Sequence, residues 1–198
     1  MWGLRKLSVL VMGLTLSFAM ACKPPSSSAG RPESASVRGH PNGWRQVEPV
    51  RLSNFARDVL GAGTPVVVEV GAAWCEPCEA LAGELVRLNK DSKGHLKVVS
   101  LDLGEVIEAL GMDDRDSVSF EEIVQAARNN PQLLDPRLTE NLLVGADGIP
   151  SLALFVNGRC VARTSGYAAD ASAPIRLREW VNRGIGRELV PLRMQPNG

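Results

Sequence analysis

Two cysteines, Cys75 and Cys78, stand three positions apart in Trp74-Cys75-Glu76-Pro77-Cys78, placed after the apolar run Pro65-Val66-Val67-Val68-Glu69-Val70. Thiols so placed, where a strand gives way to a helix, form a redox-active pair. The first sits where unpaired helix amides favour the thiolate, and a thiolate attacks a disulfide sulfur to give a mixed disulfide. The second thiol is near enough to resolve it. Cys75 is therefore the expected attacker, at the helix mouth and next to solvent. Cys78 is the expected resolver, almost one turn inside and shielded by the sheet and by Trp74. Pro77 suits the first helical turn, where its missing amide hydrogen costs nothing. Glu76 sets a negative charge beside the attacker, which disfavours the thiolate and pushes the pair toward the reducing side.

Glu69 interrupts a strand that otherwise reads as valine, and a buried acid is costly without a purpose. In a central strand its carboxyl is desolvated and can take the Cys78 proton and later return it. In an edge strand it simply faces water. A third segment, Gly148-Ile149-Pro150-Ser151-Leu152-Ala153-Leu154-Phe155-Val156-Asn157-Gly158, starts a strand with a proline that cannot donate a ladder hydrogen bond and that is of the kind found cis. Asn157-Gly158 predicts a hairpin turn, with Arg159 to Arg163 as the return strand.

A zinc site is the rival reading of the dithiol. Four ligands are needed, only Cys160, His40 and His95 could supplement the pair, and neither histidine has ligand spacing. His95 is expected in a solvated turn after Gly94. Cys160, on the return strand, reads first as a small buried apolar residue and second as a regulatory or intermolecular thiol.

The pattern Val-Glu-Val-Gly-Ala-Ala-Trp-Cys-Glu-Pro-Cys, followed about seventy residues on by Gly-Ile-Pro-Ser-Leu-Ala-Leu-Phe-Val-Asn-Gly, resembles the thioredoxin family. The resemblance implies an α/β thioredoxin fold, a central mixed sheet flanked by helices. It matches Cys75 to the nucleophile, Cys78 to the resolving thiol, Glu69 to a buried acid usually present as Asp, and Pro150 to the cis-proline facing the dithiol. Substrate chain is held like an added strand in that family, so Trp74, Glu76, Pro77, Ile149 and Pro150 are the implied contact residues. No cofactor is implied beyond the redox-active disulfide of Cys75 and Cys78. Two departures stand out. Ser100 occupies the place of a Lys that often accompanies the buried acid, and Val70 and Gly71 replace the usual aromatics, which predicts a smaller, more open surface.

The elements that must position these groups are legible in the periodicity. Leu52 to Leu60 has helical spacing and stops at Gly61 and Gly63, residues 65 to 70 form a strand, 75 to 90 the active-site helix, and Leu96 to Leu103 the next strand. Between Asp102 and Gly148 the chain exceeds the family minimum. A helical insertion over about 104–136 is expected, with helices at Glu105 to Leu110 and Phe120 to Asn129, the second capped by Ser119. It either shapes the surface around the dithiol or elaborates the packing. Pro174 to Arg183 closes a domain spanning 48–190, and 191–198 is a tail.

Of 198 residues, 44% are hydrophobic, enough for one core, and 22 basic residues balance 22 acidic ones. With no net field and no basic cluster carrying interleaved aromatics, nucleic acid is excluded as a partner. Arg5 and Lys6 precede an apolar stretch, Leu7 to Met20, too short to span a membrane comfortably, which ends in Ala19-Met20-Ala21-Cys22. Residues 1–22 read as an export signal. Its end resembles the lipobox of bacterial lipoproteins, with Cys22 as the lipidated residue; an ordinary cleaved signal and an uncleaved anchor are the competing readings. Residues 23–47, rich in Pro, Ser, Ala and Gly near their start, read as a flexible tether.

Together these features predict a membrane-tethered, extracytoplasmic thiol-disulfide oxidoreductase. Its expected partners are exported cysteine-containing proteins and a membrane thiol electron donor. Trp-Cys-Glu-Pro-Cys is similar to reductants of cytochrome c maturation. A non-catalytic peptide- or metal-binding module is the alternative.

Overall fold

The computed structural model describes residues 47–112 and 118–192. Cys22, His40, the signal, nearly all of the tether and the end of the tail lie outside the described residues. Five strands, β1 (Glu48–Pro49), β2 (Val66–Gly71), β3 (Lys97–Asp102), β4 (Ser151–Val156) and β5 (Arg159–Ser165), form one sheet in the order β1-β3-β2-β4-β5. β1 and β2 run parallel to β3, whereas β4 is antiparallel to β2 and β5 to β4.

β2 is the central strand, and all six of its residues are buried. That placement explains its valines, since both faces of a covered strand must be apolar. Val66, Val68 and Val70 pack into a core with Phe55, Val59, Ile123 and Leu142, while Val67 joins Leu81, Leu85, Leu154 and Val181 on the opposite face. Helix α1 (Glu76–Asp91) buries Cys78, Leu81, Ala82, Leu85 and Leu88 along one stripe. Its partner on the same face is α5 (Ala173–Ile185), which ends on Gly186 in the left-handed region, φ 76°. Beyond it the chain is tied back: the Asn182 side chain accepts from the amides of Leu189 and Val190, 2.9 Å each, and donates to the Val190 carbonyl at 2.7 Å.

The other face carries the insertion: α2 (Leu103–Ala109), α3 (Phe120–Asn129) and α4 (Pro136–Leu138), which continues into a π-helical turn, Thr139–Leu143. Ser119 and Glu122 form a reciprocal capping box at the start of α3. The helix expected over Leu52 to Leu60 is instead a 3-10 turn, Leu52–Asn54, followed by a π-helical turn, Ala56–Leu60. Nine residues are too few for backbone bonds to dictate the winding. The buried anchors Phe55 and Val59 set it. No helix among the described residues is long and apolar enough to cross a membrane.

The Asn157-Gly158 turn between β4 and β5 has positive φ at both residues, 50° and 74°, as a tight hairpin turn requires. Gly158 is also sterically fixed, because a Cβ there would lie 2.5 Å from the Leu60 carbonyl oxygen.

Candidate active site

Cys75 is the N-cap of α1, in extended conformation, and Pro77 lies in the first turn. The two sulfurs are bonded, with Cα atoms 5.3 Å apart. Helix geometry produces this pairing: residues three apart on the first turn face the same way. The Cys78 amide donates to the Cys75 sulfur at 3.2 Å, so the first turn of α1 already supplies a donor to the sulfur that must carry negative charge on reduction. Cys78 is inaccessible, while Cys75 retains 9% exposure. Trp74 is 45% exposed, and Glu76 and Pro77 are exposed beside it. The burial of Cys78 therefore coexists with an open tryptophan. The core around Ala72, Ala82 and Val106, to which Cys78 belongs, buries it.

The Ile149-Pro150 peptide bond is cis. Ser151 pairs with Val70, so Pro150 stands at the level of Gly71, at the end of β2 from which the chain turns into Trp74 and Cys75. Ile149 packs, partly exposed, against the core cluster that contains Cys75 and Cys78. The Pro150 carbonyl accepts from the Gly166 amide at 2.8 Å, whereas neither the amide nor the carbonyl of Ile149 bonds to other backbone among the described residues. That leaves an open backbone edge at the end of β4 that register sets level with the end of β2.

Glu69 is in the central strand, not at an edge. It is 1% exposed, and its Oε1 has no hydrogen-bond partner. Its lateral neighbours are Ser100 on β3 and Leu152 on β4, so no cation flanks it on either strand. Burial pushes its carboxyl well above the ordinary range, and the negative charge of Asp102 adds to the rise. Leu152 and Val67, which share its face, pack under α1 and α5, so this acid lies on the side of the sheet that α1 covers. Val70 and Gly71 are both buried. The expectation that they open the surface is thus corrected: their small size is accommodated inside the core.

Cys160 is free and half-buried. Burial pushes its thiol up, with smaller opposing effects of Arg163 and the Ala162 backbone. His95 is exposed in the turn after Gly94. No group of three or more metal-ligating side chains occurs among the described residues.

Two features escaped the sequence reading. The α4 segment does carry a signal: Asp135 caps it through the Arg137 amide, 2.8 Å, and Pro136 follows at the first helical position. Asp102 has no such signal, since only strand register brings it to the face on which Glu69 lies.

The thioredoxin family model matches residues 46–112, the part of the chain that holds β1, β2, the disulfide, α1, β3 and α2. Thioredoxin of Rickettsia conorii is 34% identical over 133 residues, covering 67% of this chain and 93% of that protein. Thioredoxin C-2 of Corynebacterium nephridii is 46% identical over 50 residues, 25% of this chain and 46% of the relative. Thioredoxin of Pseudomonas aeruginosa is 42% identical over 53 residues, 27% of this chain and 49% of the relative. The latter two matches thus span about half the length of those relatives. The sheet order, the bonded pair at the head of α1 and the near full-length likeness to the Rickettsia conorii protein agree: the chain belongs to the thioredoxin family, and Cys75 and Cys78 are its thiol-disulfide exchange pair.

Proposed function

We propose that this protein is a membrane-tethered, extracytoplasmic thiol-disulfide oxidoreductase that reduces disulfides of exported proteins. The observation that supports the exchange chemistry best is the Cys75–Cys78 bond at the N-terminus of α1, where Cys75 keeps a small exposure and Cys78 is fully enclosed. In the reduced protein, the Cys75 thiolate attacks one sulfur of a client disulfide. A Cys75–client bond forms, the client S–S bond breaks, and the client's second sulfur leaves as a thiolate that takes a proton from water. The Cys78 thiol then loses its proton to the Glu69 carboxylate and attacks the Cys75 sulfur. The Cys75–Cys78 bond forms, the Cys75–client bond breaks, and the client's remaining sulfur leaves as a thiolate that takes a proton from water, so the client gains two electrons and the protein loses two. A membrane thiol donor returns those electrons; in that direction protonated Glu69 supplies the proton for the departing Cys78 sulfur.

Client binding follows from the open edge at Ile149. An extended client segment hydrogen-bonds to that backbone and lies against Pro150, with Trp74, Glu76 and Pro77 as the opposite wall. The tether reading rests on the first twenty-two residues and on Cys22 as a lipidated first residue of the mature chain. Glu76 beside the attacking sulfur favours the reducing direction, and clients of the kind met in cytochrome c maturation fit it.

Client capture with Cys78→Ser tests the proposal in cells. Without a resolving thiol, Cys75 stays bonded to clients, and reductant-sensitive adducts with exported cysteine-containing proteins are expected. A Cys78→Ser protein with no more adducts than the variant lacking both thiols contradicts it. Mass spectrometry of the mature amino terminus tests the anchor: diacylglycerol on Cys22 is expected, and an unmodified Cys22 rejects lipidation.

A further inference from the structure

Parallel pairing of β2 with β3 sets Ser100 beside Glu69 and Asp102 beside Gly71. Because side chains alternate along a strand, Glu69, Ser100 and Asp102 belong to one face of the sheet. Gly71 offers no side chain to stand between the two carboxyl groups. The backbones of Glu69 and Asp102 are about 8 Å apart at standard strand spacing, and both acids have side chains long enough to shorten that separation. Asp102 is half-buried at the end of β3. Its Oδ1 accepts from the Gly104 amide at 2.8 Å and caps α2, which fixes the carboxylate in place. Glu69 Oε1, in contrast, is buried without a hydrogen-bond partner.

We propose that Asp102 is a positioning residue of the exchange reaction, whose fixed carboxylate governs how tightly Glu69 holds the proton it trades with Cys78. This rests on the reading of Glu69 as the proton partner of Cys78. The other charged groups of the surrounding strands and helices are paired or exposed: on α5, Arg176 pairs with Asp170 at 2.9 Å, and Glu179 and Arg183 are exposed, as is Lys90 of α1. On β3, Lys97 pairs with Glu48 of β1 at the far end of the sheet, 3.1 Å. On β4 no side chain is charged. On α1, Glu76 and Glu79 are exposed, Glu84 pairs with Arg87 at 2.7 Å, and Asp91 pairs with Arg178 of α5 at 2.6 Å. Tyr167, which follows β5, packs partly buried against the core on this face. Register places the Asp102 carboxyl on the face of Glu69, where its negative charge adds to the larger effect of burial in keeping the proton on.

The consequence is a division of labour across the cycle. With the proton held firmly, Glu69 is ready to donate to the departing Cys78 sulfur when the disulfide is reduced by the donor. Ionised Glu69, needed when Cys78 attacks, is reached at higher pH than in an otherwise identical site without Asp102.

Asp102→Asn tests this cleanly, because asparagine also caps helices and preserves the bond to Gly104. The rate of disulfide exchange is followed from about pH 5 to about pH 9, the range over which such acids and thiols titrate. In Asp102→Asn, the midpoint of the Glu69-dependent step is expected to move down by at least about half a pH unit. Asp102→Glu, which keeps the charge, restores the original midpoint. Glu69→Gln removes the step, and adding Asp102→Asn to Glu69→Gln changes nothing further. An unmoved midpoint in Asp102→Asn, or a profile that changes when Asp102→Asn is added to Glu69→Gln, overturns the role of Asp102 while leaving Glu69 intact. A profile unchanged by Glu69→Gln itself rejects Glu69 as proton partner, and the role of Asp102 with it.

Discussion

Ser151 stands opposite Val70 in the antiparallel pair at the centre of the sheet. That single register brings Pro150, from the second half of the chain, to the strand end that delivers Cys75, 75 positions and a whole helical insertion away in sequence. The site is therefore a property of the sheet, and its parts are coupled through strands rather than through loops.

Glu69 makes folding stability depend on pH in a definite sense. Its folded-state proton affinity is raised, chiefly by burial, above the ordinary value of 4.5. The native state then holds a proton that the unfolded chain releases, so stability is fully present below about pH 4.5 and declines as pH rises through the raised value. The slope in that window is about 1.4 kcal/mol per pH unit at its steepest. Urea denaturation of the oxidised protein across this range is expected to show the decline in the native sequence and a flatter curve in Glu69→Gln.

Arg178 is completely enclosed, and it donates to Asp91 at 2.6 Å and to the Pro174 carbonyl at 3.0 Å. The ion pair joins the C-terminus of α1 to α5. Asp91→Asn leaves a buried guanidinium without its counter-charge, an effect of roughly 3 kcal/mol at full burial and about 2 kcal/mol here, where the carboxylate keeps some solvent contact. Arg178→Met, which removes the buried charge instead, is expected to be the milder change. Denaturant midpoints of the two variants compare them directly.

Gly158→Ala combines a positive φ with a clash against the Leu60 carbonyl, and neither can be relieved by rotating a side chain. A loss of about 1 to 3 kcal/mol is expected, read as a lower denaturant midpoint with the exchange activity of the folded fraction unchanged.

Much of this organisation is written locally. The valine run, the Trp-Cys-Glu-Pro-Cys segment, the Ser119 cap and the Asn157-Gly158 turn each encode their conformation within a few residues, and each is found where periodicity and capping place it. What could not be read is long-range. The Arg178–Asp91 pair joins residues 87 positions apart, and Asp102 meets the face of Glu69 only through strand register. The winding of residues 52 to 60 was illegible for a related reason: packing of Phe55 and Val59, not local propensity, decides it.

Reduction of insulin disulfides by the purified protein, with dithiothreitol as electron source, bears on the exchange chemistry most directly. The native chain should catalyse it, and Cys75→Ser and Cys78→Ser should each lower the rate to near background, because the cycle needs both sulfurs. Catalysis that survives either substitution unchanged would contradict a mechanism built on this pair.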